Sequence, residues 1–191
     1  IWGTEDTIGF DTAVNTALEA IDKLRDTASS HERVFLVEVM GRSSGFIATT
    51  VGIAGGAEII LMPGRPVEFQ SILGALEQSK LRGKHSSLII VAEGEDPQLT
   101  PRLTGQLNEA GYQSRACILG HVQRGGSPTG HDRVLASCLG SAAVTYLQAG
   151  ISDVMLGVRE NSVVDIPLAE VISNKKVVQD DILELAKVLA T

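Results

Sequence analysis

The chain has 191 residues, a formal net charge of −7 and 43% hydrophobic residues, with aromatic residues at only 4%. This length is enough to bury a hydrophobic core in one domain or a little more. The negative charge disfavours nucleic acids and anionic membranes, and no basic stripe with interleaved aromatic residues offsets it. Cys117 and Cys138 form no disulfide framework or Cys-x-x-Cys pair, the histidines lack metal-ligand spacing, and no apolar run is long enough to span a bilayer. We therefore expect a soluble, cytoplasmic protein without a membrane or nucleic-acid partner.

The apolar pattern predicts helices and strands in alternation. Helices are expected over 6–28, 43–55, 67–81, 103–110, 132–148 and 181–189. Strands are expected over 34–39, 58–62, 87–92, 116–119 and 154–158. Ser43 or Ser44 is expected to cap the second helix. The alternation predicts an α/β fold, doubly wound, with a mostly parallel sheet and helices on both faces.

Polar residues follow three of the predicted strands. They are Met40-Gly41-Arg42, Glu93 and the loop that carries His121. Ligands of doubly wound sheets bind beyond the carboxyl ends of the strands, so these positions predict a binding site. Each residue also has an ordinary structural explanation, since Met40 suits a core and Glu93 suits a solvated acidic turn.

The run from Arg115 to Arg133 contains three arginines and two histidines around a Gly-Gly-Ser-Pro turn. Guanidinium groups bind phosphate oxygens two at a time, and the turn and the helix that follows it offer free N–H groups. These residue types predict a site for a phosphorylated small molecule. The alternative is a loop of solvated charges.

The order of residues in this run resembles the signature of the 6-phosphofructokinase family, in its bacterial ATP-dependent type. The fixed positions of that signature are filled by Arg115, Gly120, His121, Gln123, Arg124, Gly125, Gly126, Asp132 and Arg133. The stretches 7–10, 20–33, 37–45 and 54–58 are also similar to the family. The resemblance begins just after the family's catalytic segment, and the chain opens at Ile1. We therefore expect a C-terminal part, with the nucleotide-binding glycines, the catalytic base and the main magnesium ligand outside it.

The resemblance implies a fructose 6-phosphate site. Four residues are implied to hold the sugar phosphate: Arg33, Arg115, His121 and Arg124, with Arg33 and Arg115 acting across a subunit interface. Met40, Gly41 and Arg42 are implied to line the sugar. Arg42 is also implied to be catalytic, since it would lie near the transferred phosphoryl group. Glu93 is implied to bind sugar hydroxyls. Taken alone, Arg33 is better explained as a surface residue between a helix and a strand. The alternative for His121 is a structural turn residue.

A second set is implied to form an effector site for a nucleoside diphosphate. Its residues are Arg25, Gly56, Glu58, Arg82, Lys84 and His85. Glu58 and the Gly56 carbonyl would help to hold its Mg²⁺, because hard oxygen ligands suit that ion. The alternative for Arg82-Gly83-Lys84 is an ordinary basic helix end.

The activity implied is phosphoryl transfer from MgATP to the 1-hydroxyl of fructose 6-phosphate by a homotetramer that also binds ADP. The resemblance further implies a smaller domain over 10–122 and 174–191, with 1–9 and 123–173 belonging to a larger nucleotide-binding domain. Two alternatives stay open: a pyrophosphate-dependent phosphofructokinase, and a non-catalytic sugar-phosphate-binding module. The Ala92-Glu93-Gly94 run is common in pyrophosphate-using relatives, and the Pro63–Pro66 turn departs from the family pattern. We expect the chain alone to be inactive.

Overall fold

The computed structural model describes residues 1–28, 33–42, 44–84 and 86–189. The chain divides into two compact units. The first comprises Ile1–Ala13 and Gly126–Val177, and the second comprises Val14–Gly125 and Val178–Thr191.

Seven α-helices and six strands are assigned within the described residues. The helices are α1 (Phe10–Ala28), α2 (Phe46–Ala54), α3 (Phe69–Leu81), α4 (Leu99–Glu109), α5 (Gly130–Gln148), α6 (Leu168–Ser173) and α7 (Asp180–Leu189). The strands are β1 (Arg33–Val39), β2 (Ile59–Leu61), β3 (Ser86–Ala92), β4 (Ser114–Ile118), β5 (Val154–Arg159) and β6 (Ser162–Pro167). A short 3-10 helix covers Gly120–Arg124. None of the helices in the described part of the chain combines the length and hydropathy that a membrane crossing requires.

The second unit is built on a four-stranded sheet in the order β2-β3-β1-β4, in which every pairing is parallel. Its strands are apolar runs, and the four central residues of β1 are buried in succession. Such continuous burial is typical of a parallel sheet covered on both faces. A hydrophobic cluster joins the sheet to helices α3 and α4, and it includes Leu36, Leu76, Ile89 and Leu107. The α/β class with a parallel sheet is confirmed.

The starts of several helices differ from the prediction, and α1, for example, begins at Phe10 and not at residue 6. Helix α4 begins at Leu99 and not at residue 103, since Pro101 falls within the first turn, where a backbone N–H has no helical partner to lose. Helix α2 begins after Gly45, whose φ of 72° suits glycine. The Ser44 hydroxyl donates to the Gly41 carbonyl at 2.7 Å, so the predicted cap by Ser44 is wrong. Ser43 lies outside the described residues.

The first unit contains two elements that the pattern did not predict, the strand β6 and the short helix α6. Strands β5 and β6 form an antiparallel hairpin, closed by Glu160 and Asn161 with φ of 50° and 60°. The strand β6 escaped prediction because its six residues include Asp165 and end on Pro167, which is more typical of a loop.

Candidate functional site

Three of the predicted clusters meet at one edge of the parallel sheet. Met40, Gly41 and Arg42 follow β1, Glu93 follows β3, and the 3-10 helix follows β4. The strands β3, β1 and β4 are neighbours and run in the same direction, so their carboxyl ends share this edge. The sheet therefore places these polar residues where ligands of such folds bind.

Three hydrogen bonds fasten these segments to the end of β1. The Glu93 N–H donates to the Val39 carbonyl at 2.8 Å, and the Leu119 N–H donates to the Glu38 carbonyl at 3.1 Å. The Met40 N–H donates to the Gln123 side-chain oxygen at 2.9 Å. The end of β1 is thus the common support of all three segments.

The loop after β1 has an unusual backbone. Arg42 is one of the few non-glycine residues at positive φ, with a value of 51°. A non-glycine residue in the left-handed region costs on the order of 1 kcal/mol, and such strain clusters at functional sites. The Arg42 side chain is exposed to solvent. This loop therefore presents a cation beside Met40 and Gly41 at the carboxyl edge of the sheet.

His121 and Arg124 lie on the 3-10 helix and are both exposed. Between them, Gln123 is fully buried. Since Gln123 points inward, its neighbours on either side present their polar groups outward. The arrangement supplies an imidazole and a guanidinium, the donor groups that bind a phosphate dianion in several directions.

Arg33 and Arg115 lie elsewhere on the sheet. Arg33 is the first residue of β1, and Arg115 is the second residue of β4, opposite Phe35. Both stand toward the amino ends of their strands, away from the edge that carries Met40 and Glu93. The Arg115 guanidinium donates to the carbonyl of the preceding residue, Ser114, at 3.0 Å. Within one chain, these two arginines do not join the other six predicted residues.

Most of the second predicted set surrounds one cavity of about 240 Å³. Its lining includes Arg25, Gly56, Glu58 and Lys84, together with an apolar wall that contains Phe35. The Glu58 side chain is only 4% exposed, and its carboxylate accepts hydrogen bonds from the Lys84 ammonium at 3.0 Å and from the Leu88 N–H at 2.5 Å. The Arg25 guanidinium donates to the Gly56 carbonyl at 3.4 Å.

The other two members of the predicted effector set, Arg82 and His85, are not placed at this cavity by the described part of the chain. Arg82 caps the end of α3 and is not among the cavity-lining residues that the described chain supplies. His85 lies outside the described residues.

The cavity offers only part of a Mg²⁺ coordination sphere. No group of three acidic, histidine or cysteine side chains with metal-binding geometry occurs within the described residues. The Glu58 carboxylate also accepts the Ser79 hydroxyl at 3.4 Å. Since an ionised carboxylate has about four lone-pair sites, about one remains beyond its bonds to Lys84, Leu88 and Ser79. Mg²⁺ is commonly held by one or two carboxylates together with phosphates and water. Glu58 and the Gly56 carbonyl fit that role beside a diphosphate.

Gln123 and Asp132 are among the fixed positions of the signature to which the sequence gave no role. Asp132 is 2% exposed and caps α1, because its carboxylate accepts from the Gly9 and Thr12 N–H groups at 2.8 Å each. Burial raises the pKa of Asp132, but the hydrogen bonds from Thr12 and Gly9 outweigh this effect and hold the pKa below its usual value. Asp132 lies in the first turn of α5, so its position in the sequence does not mark it as a cap of α1. Nothing in the sequence marks Gln123 as buried.

His131 precedes Asp132 and forms an ion pair with Asp6. The hydrogen bond and the charge of the Asp6 carboxylate raise the pKa of His131. The pair joins the start of α5 to the segment before α1 in the same unit.

A parallel α/β sheet with a carboxylate, an imidazole and arginines at the carboxyl edge of its strands defines a protein suited to an anionic, hydroxyl-bearing ligand. The phosphofructokinase family model matches residues 1–147 of this chain. The chain belongs to the phosphofructokinase family.

The alignments with similar sequences cover the full length of this chain. ATP-dependent 6-phosphofructokinase 1 of Thermus thermophilus is 53% identical over 191 residues, which make up 100% of this chain and 59% of that protein. The ATP-dependent 6-phosphofructokinase of Listeria welshimeri is 47% identical over 191 residues, with the same shares of 100% and 59%. The chain thus spans 59% of the length of the curated relatives it matches.

Solved structures agree in fold. The phosphofructokinase of Saccharomyces cerevisiae superposes with a TM-score of 0.83 at 32% identity and covers 98% of this chain and 26% of its own. A pyrophosphate-dependent phosphofructokinase of Marinobacter aquaeolei superposes with a TM-score of 0.75 at 23% identity, over 96% of this chain and 54% of its own. At that identity the second comparison concerns the fold alone.

Proposed function

We propose that this chain carries the sugar-phosphate side of an ATP-dependent 6-phosphofructokinase. The intact protein, meaning the natural polypeptide that carries these 191 residues, would transfer a phosphoryl group from MgATP to the 1-hydroxyl of fructose 6-phosphate. The observation that carries the proposal is the convergence of Met40–Arg42, Glu93 and the 3-10 helix at the end of β1. The names of the Thermus and Listeria relatives favour ATP as the donor.

Each group has a role that follows from its chemistry. His121 and Arg124 would bind the sugar phosphate, and the Glu93 carboxylate would accept hydrogen bonds from sugar hydroxyls. Arg42 would stabilise negative charge on the transferred phosphoryl group, since such transfer is promoted by fixed positive charge. When bound, Mg²⁺ would neutralise charge on ATP. By the family resemblance, the main protein ligand of this ion lies outside this chain.

Arg33 and Arg115 require a second subunit in this proposal. They lie away from the carboxyl edge of their own sheet, so they would complete the phosphate site of a neighbouring copy. The assembly proposed is a cytoplasmic homotetramer, with 10–122 and 174–191 as its smaller domain and the remainder in the larger, nucleotide-binding one.

The cavity beside Glu58 supports a second, regulatory role. Arg25 and Lys84 supply cations for a diphosphate, and Glu58 with the Gly56 carbonyl supplies oxygen ligands for its Mg²⁺. We assign this cavity to a nucleoside diphosphate such as ADP, and Arg82 and His85 remain members of the proposed set through the family resemblance alone.

A donor assay on the intact protein tests the proposed function. Fructose 6-phosphate is the acceptor, and MgATP or pyrophosphate is the donor. Turnover with ATP supports the proposal, and turnover with pyrophosphate alone moves the protein to the other donor class. A folded protein that is silent with both donors is better described as a sugar-phosphate-binding module. The 191 residues alone are expected to give no turnover.

A further inference from the structure

The side chain of Gln123 connects two segments of the candidate sugar-phosphate site. Gln123 is 0% exposed and lies in the 3-10 helix between His121 and Arg124. Its side-chain oxygen accepts the Met40 N–H at 2.9 Å, at the start of the loop that carries Arg42. One buried amide therefore joins the loop after β1 to the helix after β4.

This connection differs from the other two at the end of β1. The Glu93–Val39 and Leu119–Glu38 bonds run from backbone to backbone, so they do not depend on which side chains are present. The bond to Met40 exists only while residue 123 offers an acceptor of the right length. The spacing between the two segments is thus set by the identity of a single side chain.

The same amide is incompletely satisfied. Its nitrogen, Nε2, is the one buried side-chain nitrogen or oxygen atom in the described residues that has no hydrogen-bond partner. A buried donor without a partner lowers stability, and an apolar residue of similar shape would avoid that cost. The presence of an amide at position 123, rather than an apolar side chain, is explained if the amide oxygen has a role beyond folding.

We propose that Gln123 is a positioning residue for the sugar-phosphate site. It holds the loop of Met40, Gly41 and Arg42 at a fixed distance from His121 and Arg124, so that phosphate donors and sugar-lining groups meet one ligand together. The proposal rests on the proposed function for the identity of that ligand. The physical link between Gln123 and Met40 can be tested without it.

The test uses three variants of the intact protein. Gln123→Met keeps the length of the side chain and removes the acceptor, while Gln123→Glu keeps an acceptor oxygen for the Met40 N–H. Thr100→Val is the matched control, because Thr100 is also 0% exposed and its hydroxyl donates to the Glu38 side chain at 2.5 Å rather than to a site segment.

Two measurements are made on each variant: amide hydrogen exchange of the peptide that contains Met40, and the KM values for fructose 6-phosphate and ATP. We expect Gln123→Met to speed exchange at Met40 and to raise the KM for fructose 6-phosphate about tenfold, with the KM for ATP unchanged. Gln123→Glu should restore much of the loss, and Thr100→Val should show neither effect.

Unchanged exchange at Met40 in Gln123→Met would overturn the link. Faster exchange with an unchanged KM for fructose 6-phosphate would overturn the positioning role, as would an equal KM rise in Thr100→Val. Wild-type protein without turnover on either donor refutes the proposed function, whereas the exchange measurement still decides whether Gln123 holds Met40.

Discussion

Arg33 and Met40 lie at opposite ends of the same strand. They are separated by the length of β1, whose seven residues span about 20 Å at the usual rise of an extended chain. No side chain bridges that distance, so the Arg33 guanidinium cannot reach a ligand that lies beside Met40 of the same chain. If both serve the same ligand, that ligand lies between two copies.

A subunit-mixing experiment tests this shared site. Arg115→Ala and Arg124→Ala are each expected to lose most activity in the intact protein, because under the proposed function each removes a hydrogen-bond donor to the sugar phosphate. In the proposed arrangement, each two-fold interface carries two sites, and each site takes Arg115 from one subunit and Arg124 from the other. At an interface between the two variants, one site therefore has both arginines and the other has neither. Random pairing should therefore restore about a quarter of wild-type activity.

The control is a mixture of His121→Ala and Arg124→Ala. These residues lie on the same 3-10 helix, so each site draws both from one subunit and mixing should restore nothing. Recovery in this control, or none with Arg115→Ala, would contradict the division of the site between subunits.

Substitution of Arg124 alone should weaken substrate binding. Arg124→Ala is expected to reduce affinity for fructose 6-phosphate by about 1.5–3 kcal/mol, the scale of a hydrogen bond to a charged group. Calorimetric titration of the intact protein measures it. Arg102→Ala is the control, since Arg102 is half-exposed and pairs with Asp96 at 2.8 Å, and neither residue belongs to the predicted sugar-phosphate set. If Arg124→Ala and Arg102→Ala bind fructose 6-phosphate with equal affinity, Arg124 is not part of the binding site.

The effector assignment makes a separate prediction. Arg25→Ala should weaken the binding of MgADP about tenfold, since it removes a cation from the cavity lining. Lys23→Ala serves as the control, because Lys23 lies two positions earlier on α1 and pairs with Glu19 at 2.6 Å on the surface. Titration of the intact protein with MgADP gives the answer. An unchanged affinity in Arg25→Ala would leave the cavity without this role.

Much of the site edge was predictable because its signals are local. A buried parallel strand is a continuous apolar run, so the polar residues that follow β1, β3 and β4 were placed correctly at the ends of strands. The burial of Gln123 was not predictable, since its neighbours His121 and Arg124 are exposed and no periodic pattern separates them. The hairpin of β5 and β6 was missed for a related reason, because a six-residue strand that ends on Pro167 has too few apolar positions to establish a period of two.

Asp132 should contribute to stability in a pH-dependent manner. Because its pKa is depressed in the folded chain, its contribution is present above the usual aspartate pKa of about 3.9 and is lost as the pH falls through the lower, folded value. Asp132→Asn should lower the free energy of unfolding by about 2–3 kcal/mol at neutral pH, since the amide offers one neutral acceptor oxygen in place of two charged ones. The bonds from the Gly9 and Thr12 N–H groups at the start of α1 are therefore weakened or lost. The acid slope of stability should also become shallower than in wild type.

Urea unfolding of the intact protein between pH 3 and 7 measures both effects. Glu77→Gln removes an exposed carboxylate on α3 and should leave the acid slope unchanged. A variant Asp132→Asn with wild-type stability at every pH would show that the carboxylate does not stabilise the start of α1.

The pair of His131 and Asp6 predicts the opposite pH dependence. Since the pKa of His131 is raised, the stabilisation is fully present below the ordinary histidine pKa of about 6.5 and is lost as the pH rises through the folded value. Asp6→Asn should remove this loss, while its side-chain oxygen still accepts the Thr7 N–H.

Hydrogen exchange of the peptide over residues 4–9, compared at pH 6 and pH 8, measures the effect. Wild type should exchange faster at pH 8 after correction for intrinsic rates, and Asp6→Asn should not. His131→Gln should behave like Asp6→Asn, and a wild-type pH response in either variant would show that another group is responsible.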